Sequence, residues 1–194
     1  MRAPGQPALL VTRRLRTPLG PMVTIASDAG VLLLEFADGP RLAVEVRRLR
    51  SRLGATIVRR THPHLTRLDR ELRAYFAGRL RAFSVPLAPV GTDFQLAVWR
   101  RLQRIPYGGT LSYERLARAL GRPGAQRAVG HANGANPLAI VVPCHRLVGA
   151  DGALRGYGGG LWRKRRLLEL EGALPREGPG VAGRPARWRR RKRR

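Results

Sequence analysis

Ser112-Tyr-Glu-Arg-Leu-Ala-Arg-Ala-Leu120, Gly121-Arg-Pro-Gly124 and Ala125-Gln-Arg-Ala-Val-Gly-His-Ala-Asn133 follow one another without a gap. The first piece reads as a short helix. Ser112 is a capping residue type, Glu114 lies in the first turn where the helix dipole favours an acid, and Leu116, Ala117 and Leu120 supply an apolar face. The Gly-Arg-Pro-Gly break ends it. A second helix follows, with Ala125, Ala128, Val129 and Ala132 inward and Arg127, His131 and Asn133 outward. Two short helices joined by a four-residue turn containing glycine are the sequence form of a helix-turn-helix, and also of an ordinary helical hairpin. Gly130, Ala132, Gly134 and Ala135 are small, so the second helix can press closely on a neighbour. That neighbour is either another helix or a minor groove, which at about 6 Å is too narrow for a helix unless forced open.

Upstream, Phe94, Ala97, Val98, Leu102 and Ile105 form an apolar stripe behind a Thr92/Asp93 cap. Pro86 to Gly91 holds two prolines and a glycine and reads as a joint. Before it the pattern is β. Met22–Ala26 and Val31–Phe36 flank Asp28-Ala-Gly30 as a hairpin, and Leu42–Val46 reads as a third strand. Thr61–Phe76 has helical spacing through Leu65, Leu68, Leu72, Tyr75 and Phe76, and Gly78 stops it. Downstream, Leu138–Val142 reads as a short buried strand ended by Pro143. Gly156–Gly160 is a loop, and Leu161–Glu171 a closing helix with Gly172 past its end. The expected fold class is α+β. A loose leader (1–17) precedes a small N-terminal β-sheet/helix domain (18–86). A mainly helical C-terminal domain with a helix-turn-helix (91–174) follows, and then a disordered basic tail (175–194). Within that tail, Arg184–Arg194 holds eight basic residues and no acid.

The 194 residues carry 38 Lys+Arg against 12 Asp+Glu, a formal net charge of +26. Such a charge suits a polyanionic partner, nucleic acid before an anionic membrane surface. All the basic residues except Lys164 and Lys192 are arginine, so arginine-rich coding accounts for part of the excess. Cys144 is the single cysteine. It can form no internal disulfide and no multi-thiolate zinc site, which fits a cytoplasmic chain. No run of about 18 apolar residues is present to span a membrane, and Met1–Gln6 lacks the pattern of a signal peptide.

Pro143-Cys-His-Arg146 directly follows the apolar run. A thiolate is the reactive form of cysteine, and a nearby imidazole can take its proton. In an extended segment neighbouring side chains point to opposite faces, so His145 reaches Cys144 only through a turn or a bridging water. Glu169 or Glu171 can orient such a histidine. His145 and a helix N-terminus are expected to lower the Cys144 pKa. The alternative for Cys144 is a small buried hydrophobe, and for His145 a satisfied core histidine.

Asn136-Pro-Leu-Ala-Ile-Val-Val142 with Pro143-Cys-His-Arg146 strongly resembles the O6-alkylguanine-DNA alkyltransferases, the methylated-DNA–protein-cysteine methyltransferases. So do Phe94-Gln-Leu-Ala-Val-Trp99, Ile105-Pro-Tyr-Gly-Gly109, Ser112-Tyr-Glu-Arg-Leu-Ala117, Arg127-Ala-Val-Gly130, Gly156-Tyr-Gly-Gly-Gly160 and Leu167-Leu-Glu-Leu-Glu-Gly172. The resemblance implies direct-reversal DNA repair. The helix-turn-helix binds the minor groove of double-stranded DNA. The damaged base is flipped out, and the alkyl group of O6-alkylguanine, or of O4-methylthymine, passes irreversibly to Cys144. By position, His145 activates Cys144 through a water, Glu171 orients His145, and Asn136 holds the turn that presents the thiol. Tyr113 lies by the target nucleotide, Arg127 fills the vacated stack, and Tyr157 and Gly158 line the base pocket. No cofactor, metal or membrane is implied, and the expected state is a cytoplasmic, nucleoid-associated monomer. Gly158 stands where many relatives have a hydroxyl residue, and Asp93 where a proline is common. A lesion-binding module without transfer and a cysteine hydrolase are the competing classes. Cys144 argues against the first, and the helix-turn-helix and the charge against the second.

Overall fold

The computed structural model describes residues 8–175. Its first half is a four-stranded sheet in the order β3-β2-β1-β4, with β1 Ala8–Thr17, β2 Gly20–Ser27, β3 Gly30–Phe36 and β4 Ala55–Arg59. The β1–β2 and β2–β3 pairs are antiparallel, and β4 returns parallel to β1. Helix α1 (Leu42–Leu53) makes that crossover, and helix α2 (Pro63–Phe76) follows β4. Adjacent residues along a strand serve opposite faces. Leu10, Ile25 and Leu33 cluster with Leu49 of α1, whereas Val11 and Ala26 cluster with Leu65 of α2. With both faces covered, every residue of β3 is buried.

Two expectations fail in this half. Residues 8–17 are not a leader but β1, an interior strand. Its arginines give it the look of a tail, yet Leu10, Val11 and Leu15 are buried and both neighbours bond its backbone. Leu42–Val46 is not a strand but the first turn of α1. Five residues fit either period, and Leu42, Val46, Leu49 and Leu53 reveal the helical one, which Gly54 ends in the left-handed conformation at φ +53°.

The second half is helical: α3 Asp93–Leu102, α4 Tyr113–Ala119, α5 Gln126–Gly134 and α6 Leu161–Leu170, with a small parallel pair of β5 Leu111–Ser112 and β6 Leu147–Val148. Thr92 and Gln95 form a capping box at α3, and the Ser112 hydroxyl accepts the Arg115 N–H at α4. The buried side of α3 is Val98, Trp99 and Leu102, and Trp99 donates from Nε1 to the Ala132 carbonyl (2.8 Å), tying α3 to α5. On α5 the expected faces shift. Ala128 is exposed, while Asn133 is buried rather than outward.

The halves share one core, in which Met22, Leu34, Phe36, Leu72 and Tyr75 join Trp99, Leu138, Leu147 and Leu167. They are also stitched at the β3 edge. The connector bonds it through Val31 N–H to Pro86 O and Ala88 N–H to Val31 O (both 2.8 Å). The segment before Cys144 bonds it through Leu34 N–H to Pro137 O (2.8 Å) and Ala139 N–H to Leu34 O (2.9 Å). No helix among the described residues is long and apolar enough to cross a membrane. Most of the basic tail, from 176 on, lies outside the described residues.

Candidate active site

Leu138–Val142 is buried as expected, but it is a turn and not a strand. The Asn136 carboxamide decides this. Its Oδ1 accepts the Leu138 N–H (3.0 Å), and its Nδ2 donates to the carbonyls of Val142 (2.9 Å) and Leu138 (3.3 Å). These local bonds outweigh the β preference of the apolar run. Ile140 takes φ +73°, a left-handed conformation that costs a β-branched residue of order 1–3 kcal/mol. The turn delivers Cys144 into a single 3₁₀ turn, Cys144–Arg146, in which all three residues are buried.

His145 Nε2 lies 2.8 Å from Glu171 Oε1 at the end of α6. Glu171 also accepts from Arg146 Nε (2.8 Å) and Nη2 (3.0 Å) and from the Tyr75 hydroxyl (2.6 Å). Burial works to raise the Glu171 pKa, but the bonds from His145, Arg146 and Tyr75 prevail and hold it at about 2. Glu171 is therefore a carboxylate and only accepts. The proton of a neutral His145 ring then sits on Nε2. Burial lowers the His145 pKa despite the Glu171 contact, so the ring is neutral near pH 7. Its Nδ1 is buried and has no hydrogen-bond partner among the described residues. The imidazole thus keeps a free lone pair for a proton.

The expected lowering of the Cys144 pKa is reversed. Burial pushes the thiol up to about 11; Asn136 and Lys164 pull it down and Glu35 adds to the rise. The resting group is a thiol, and its deprotonation needs a base. Lys164 is itself fully buried, donating from Nζ to Leu147 O (2.5 Å) and Arg155 O (2.6 Å), and burial brings its pKa to about 8.

Tyr113, Arg127, Tyr157 and Gly158 all line one open cavity of about 760 Å³, with Asn133 and Arg155. Burial raises the pKa of both tyrosines. Cys144 belongs to the hydrophobic cluster against which these two cavity-lining tyrosines pack. The Tyr113 hydroxyl donates to Arg155 O (3.4 Å). Tyr75, Arg146 and Lys164 were not singled out as site residues in the sequence. Tyr75 lies in an apolar helical stripe, and its only signal is that a buried tyrosine hydroxyl needs a partner. Among the described residues no cluster of His, Cys, Asp and Glu converges as it would on a metal ion.

Residues 10–89 match the ribonuclease-like domain of 6-O-methylguanine DNA methyltransferase, and residues 93–173 match its DNA-binding domain. The chain belongs to the 6-O-methylguanine DNA methyltransferase family. Methylated-DNA–protein-cysteine methyltransferase of Methanosarcina acetivorans is 43% identical over 157 residues, 81% of this chain and 95% of the relative. The Mycobacterium tuberculosis relative of the same name is 62% identical over 101 residues, and that match spans 52% of this chain and 61% of the relative's length. Among solved structures, M. tuberculosis OGT in complex with DNA superposes with TM-score 0.72 at 44% identity, covering 84% of this chain and 93% of that one. The family match covers both halves, so the sheet domain is as much a part of the family's architecture as the helix-turn-helix.

Proposed function

We propose that this chain repairs double-stranded DNA by moving the alkyl group of O6-alkylguanine, and of O4-methylthymine, onto its own Cys144. The observation that carries the reading is a buried thiol, packed in one cluster with the cavity-lining Tyr113 and Tyr157 and next in sequence to a neutral imidazole. That imidazole is pinned by a carboxylate on one nitrogen and free on the other. In the duplex the alkyl carbon is stacked among neighbouring bases, so the target nucleotide must leave the stack to meet the thiol. Helix α5 enters from the minor groove, and Arg127, exposed on it, fills the gap. Within the cavity the Cys144 proton passes to His145 Nδ1 directly or through a water. Sγ attacks the alkyl carbon, the carbon–O6 bond breaks, and its electrons stay on O6. The purine anion regains the released proton, and the Tyr113 hydroxyl stabilises it by donating a hydrogen bond. A thioether has no easy hydrolytic exit, so each chain acts once. No step needs a cofactor or a second chain, and the protein works as a monomer on the nucleoid of the cytoplasm.

The direct test is to weigh the intact protein after incubation with excess alkylated duplex. One alkyl group per chain, on Cys144, is the expected result. Turnover well above one per chain, or label on another residue, defeats the reading. Arg127→Ala separates base flipping from chemistry. It should slow repair of a paired lesion by about tenfold or more while leaving reaction with free O6-benzylguanine near wild type, because only the duplex reaction requires unstacking, which costs a few kcal/mol. Equal loss on both substrates contradicts the stack-filling role.

A further inference from the structure

Arg163 is a buried cation that the chemistry above does not use. Its guanidinium joins the two halves of the molecule. Nε donates to Leu19 O in the β1–β2 turn (2.8 Å), and Nη2 donates to both carboxylate oxygens of Asp38 just after β3 (3.0 and 2.8 Å). Nη1 donates to Gly159 O in the pocket loop (2.9 Å). The charged plane lies 4.1 Å from the centre of the Phe36 ring and 4.5 Å from that of Trp162. Three of these five partners, Leu19, Asp38 and Phe36, belong to the sheet domain. Gly159 is itself closely packed. A Cβ there would stand 2.7 Å from the Phe36 ring and 2.8 Å from the Tyr157 ring, so its backbone lies between the sheet and the cavity wall.

We propose that Arg163 is a positioning residue for base binding: through it, Asp38, Phe36 and Leu19 of the sheet domain fix Gly159 and, with it, the adjoining Tyr157 and Gly158 that line the cavity. The inference rests on the alkyl-transfer reading and adds a task for the N-terminal half, where no reacting group lies. A guanidinium suits the task because its donors are fixed in one plane and can meet carbonyl, carboxylate and ring together. A lysine ammonium has neither the fork nor the stacking plane. Without the fork, the buried carbonyls of Leu19 and Gly159 lose their donor and the wall is free to shift.

The test is the labelling rate of the full chain with O6-benzylguanine across a concentration series, which separates half-saturation from saturating rate. Arg163→Met should raise the half-saturation concentration by about tenfold, the size expected from the loss of one or two charge-assisted hydrogen bonds. The saturating rate should change much less, and alkylation of Cys144 by iodoacetamide should keep its wild-type rate. Arg163→Lys should fall between, and Asp38→Ala should reproduce part of the effect from the opposite half. If Arg163→Met does not fold, as judged by its melting transition, Asp38→Ala decides, since Asp38 is largely exposed and its loss leaves no cavity. Unchanged half-saturation in the folded variants overturns the proposal, as does a loss confined to the saturating rate. Failure of wild-type protein to react at all overturns the alkyl-transfer reading instead.

Discussion

His145→Ala should slow alkyl transfer at pH 7 by about 10²–10⁴-fold, the range for removal of a positioned general base. The size follows from the resting thiol. With the Cys144 pKa at about 11, very little thiolate exists near neutrality unless a base takes the proton as the sulfur attacks. The pH profiles carry the stronger discrimination. Burial holds the His145 pKa below its ordinary value, so the wild-type rate should stay flat down through neutral pH and fall only below about 6.5, where the ring gains a proton and its Nδ1 lone pair is lost. The variant has only spontaneous thiolate, so its rate should climb steadily with pH toward about 11. DNA affinity should be nearly unchanged. Single-turnover kinetics on an alkylated duplex read both profiles, and a wild-type rate in His145→Ala near neutral pH rules the imidazole out as the base.

The largest loss of stability is expected from Glu171→Ala. This carboxylate collects His145, two nitrogens of Arg146 and the Tyr75 hydroxyl, all from buried side chains. Removing it strands a buried guanidinium, which typically costs about 3–5 kcal/mol and should lower the melting temperature by on the order of 10 °C for a domain of this size. Glu171→Gln keeps one acceptor oxygen and should be milder. The pH dependence has a definite sign. The folded-state pKa of about 2 lies below the ordinary 4.5, so the carboxylate's contribution is fully present above about 4.5 and is lost as pH falls from there toward about 2. Urea unfolding at pH 6 and pH 3 measures it. Glu171→Gln should show a smaller difference between the two pH values than wild type, and an equal difference contradicts this account of the network.

The helix-turn-helix half was legible because its signals are local. Ser112 and Thr92 cap where capping chemistry predicts, and the breaks fall at glycine and proline. The sheet half was less so. β1 is decided by partners that lie on both sides of it in space, and no window around its arginines contains them. The turn at Ala139–Val142 has a strand's composition, and what bends it is one carboxamide three residues upstream of Ala139. At the site, the Cys144–His145–Glu171 grouping was readable, but the state of the thiol was not. Adjacency to histidine suggests a lowered pKa, whereas burial, a property of the whole fold, raises it. Tyr75 and Arg163 escaped for the same reason, since the Tyr75 hydroxyl and three of the five Arg163 contacts reach across to the other half of the chain.

The bonding along β3 bears on solubility. An open sheet has two edges at which backbone groups can recruit a foreign strand. Here β4 forms one edge and has Arg59 and Arg60 at its end, charges that discourage such pairing. The opposite edge belongs to Gly30-Val-Leu-Leu-Leu-Glu-Phe36, a sequence with the aliphatic content of an aggregation-prone segment. It is shielded by the connector and by the segment leading into Cys144. The reactive loop therefore doubles as edge protection. A lesion in the Asn136 turn that loosened the loop would expose a sticky strand as well as displace the thiol, and such variants would be lost to self-association before their kinetics could be read.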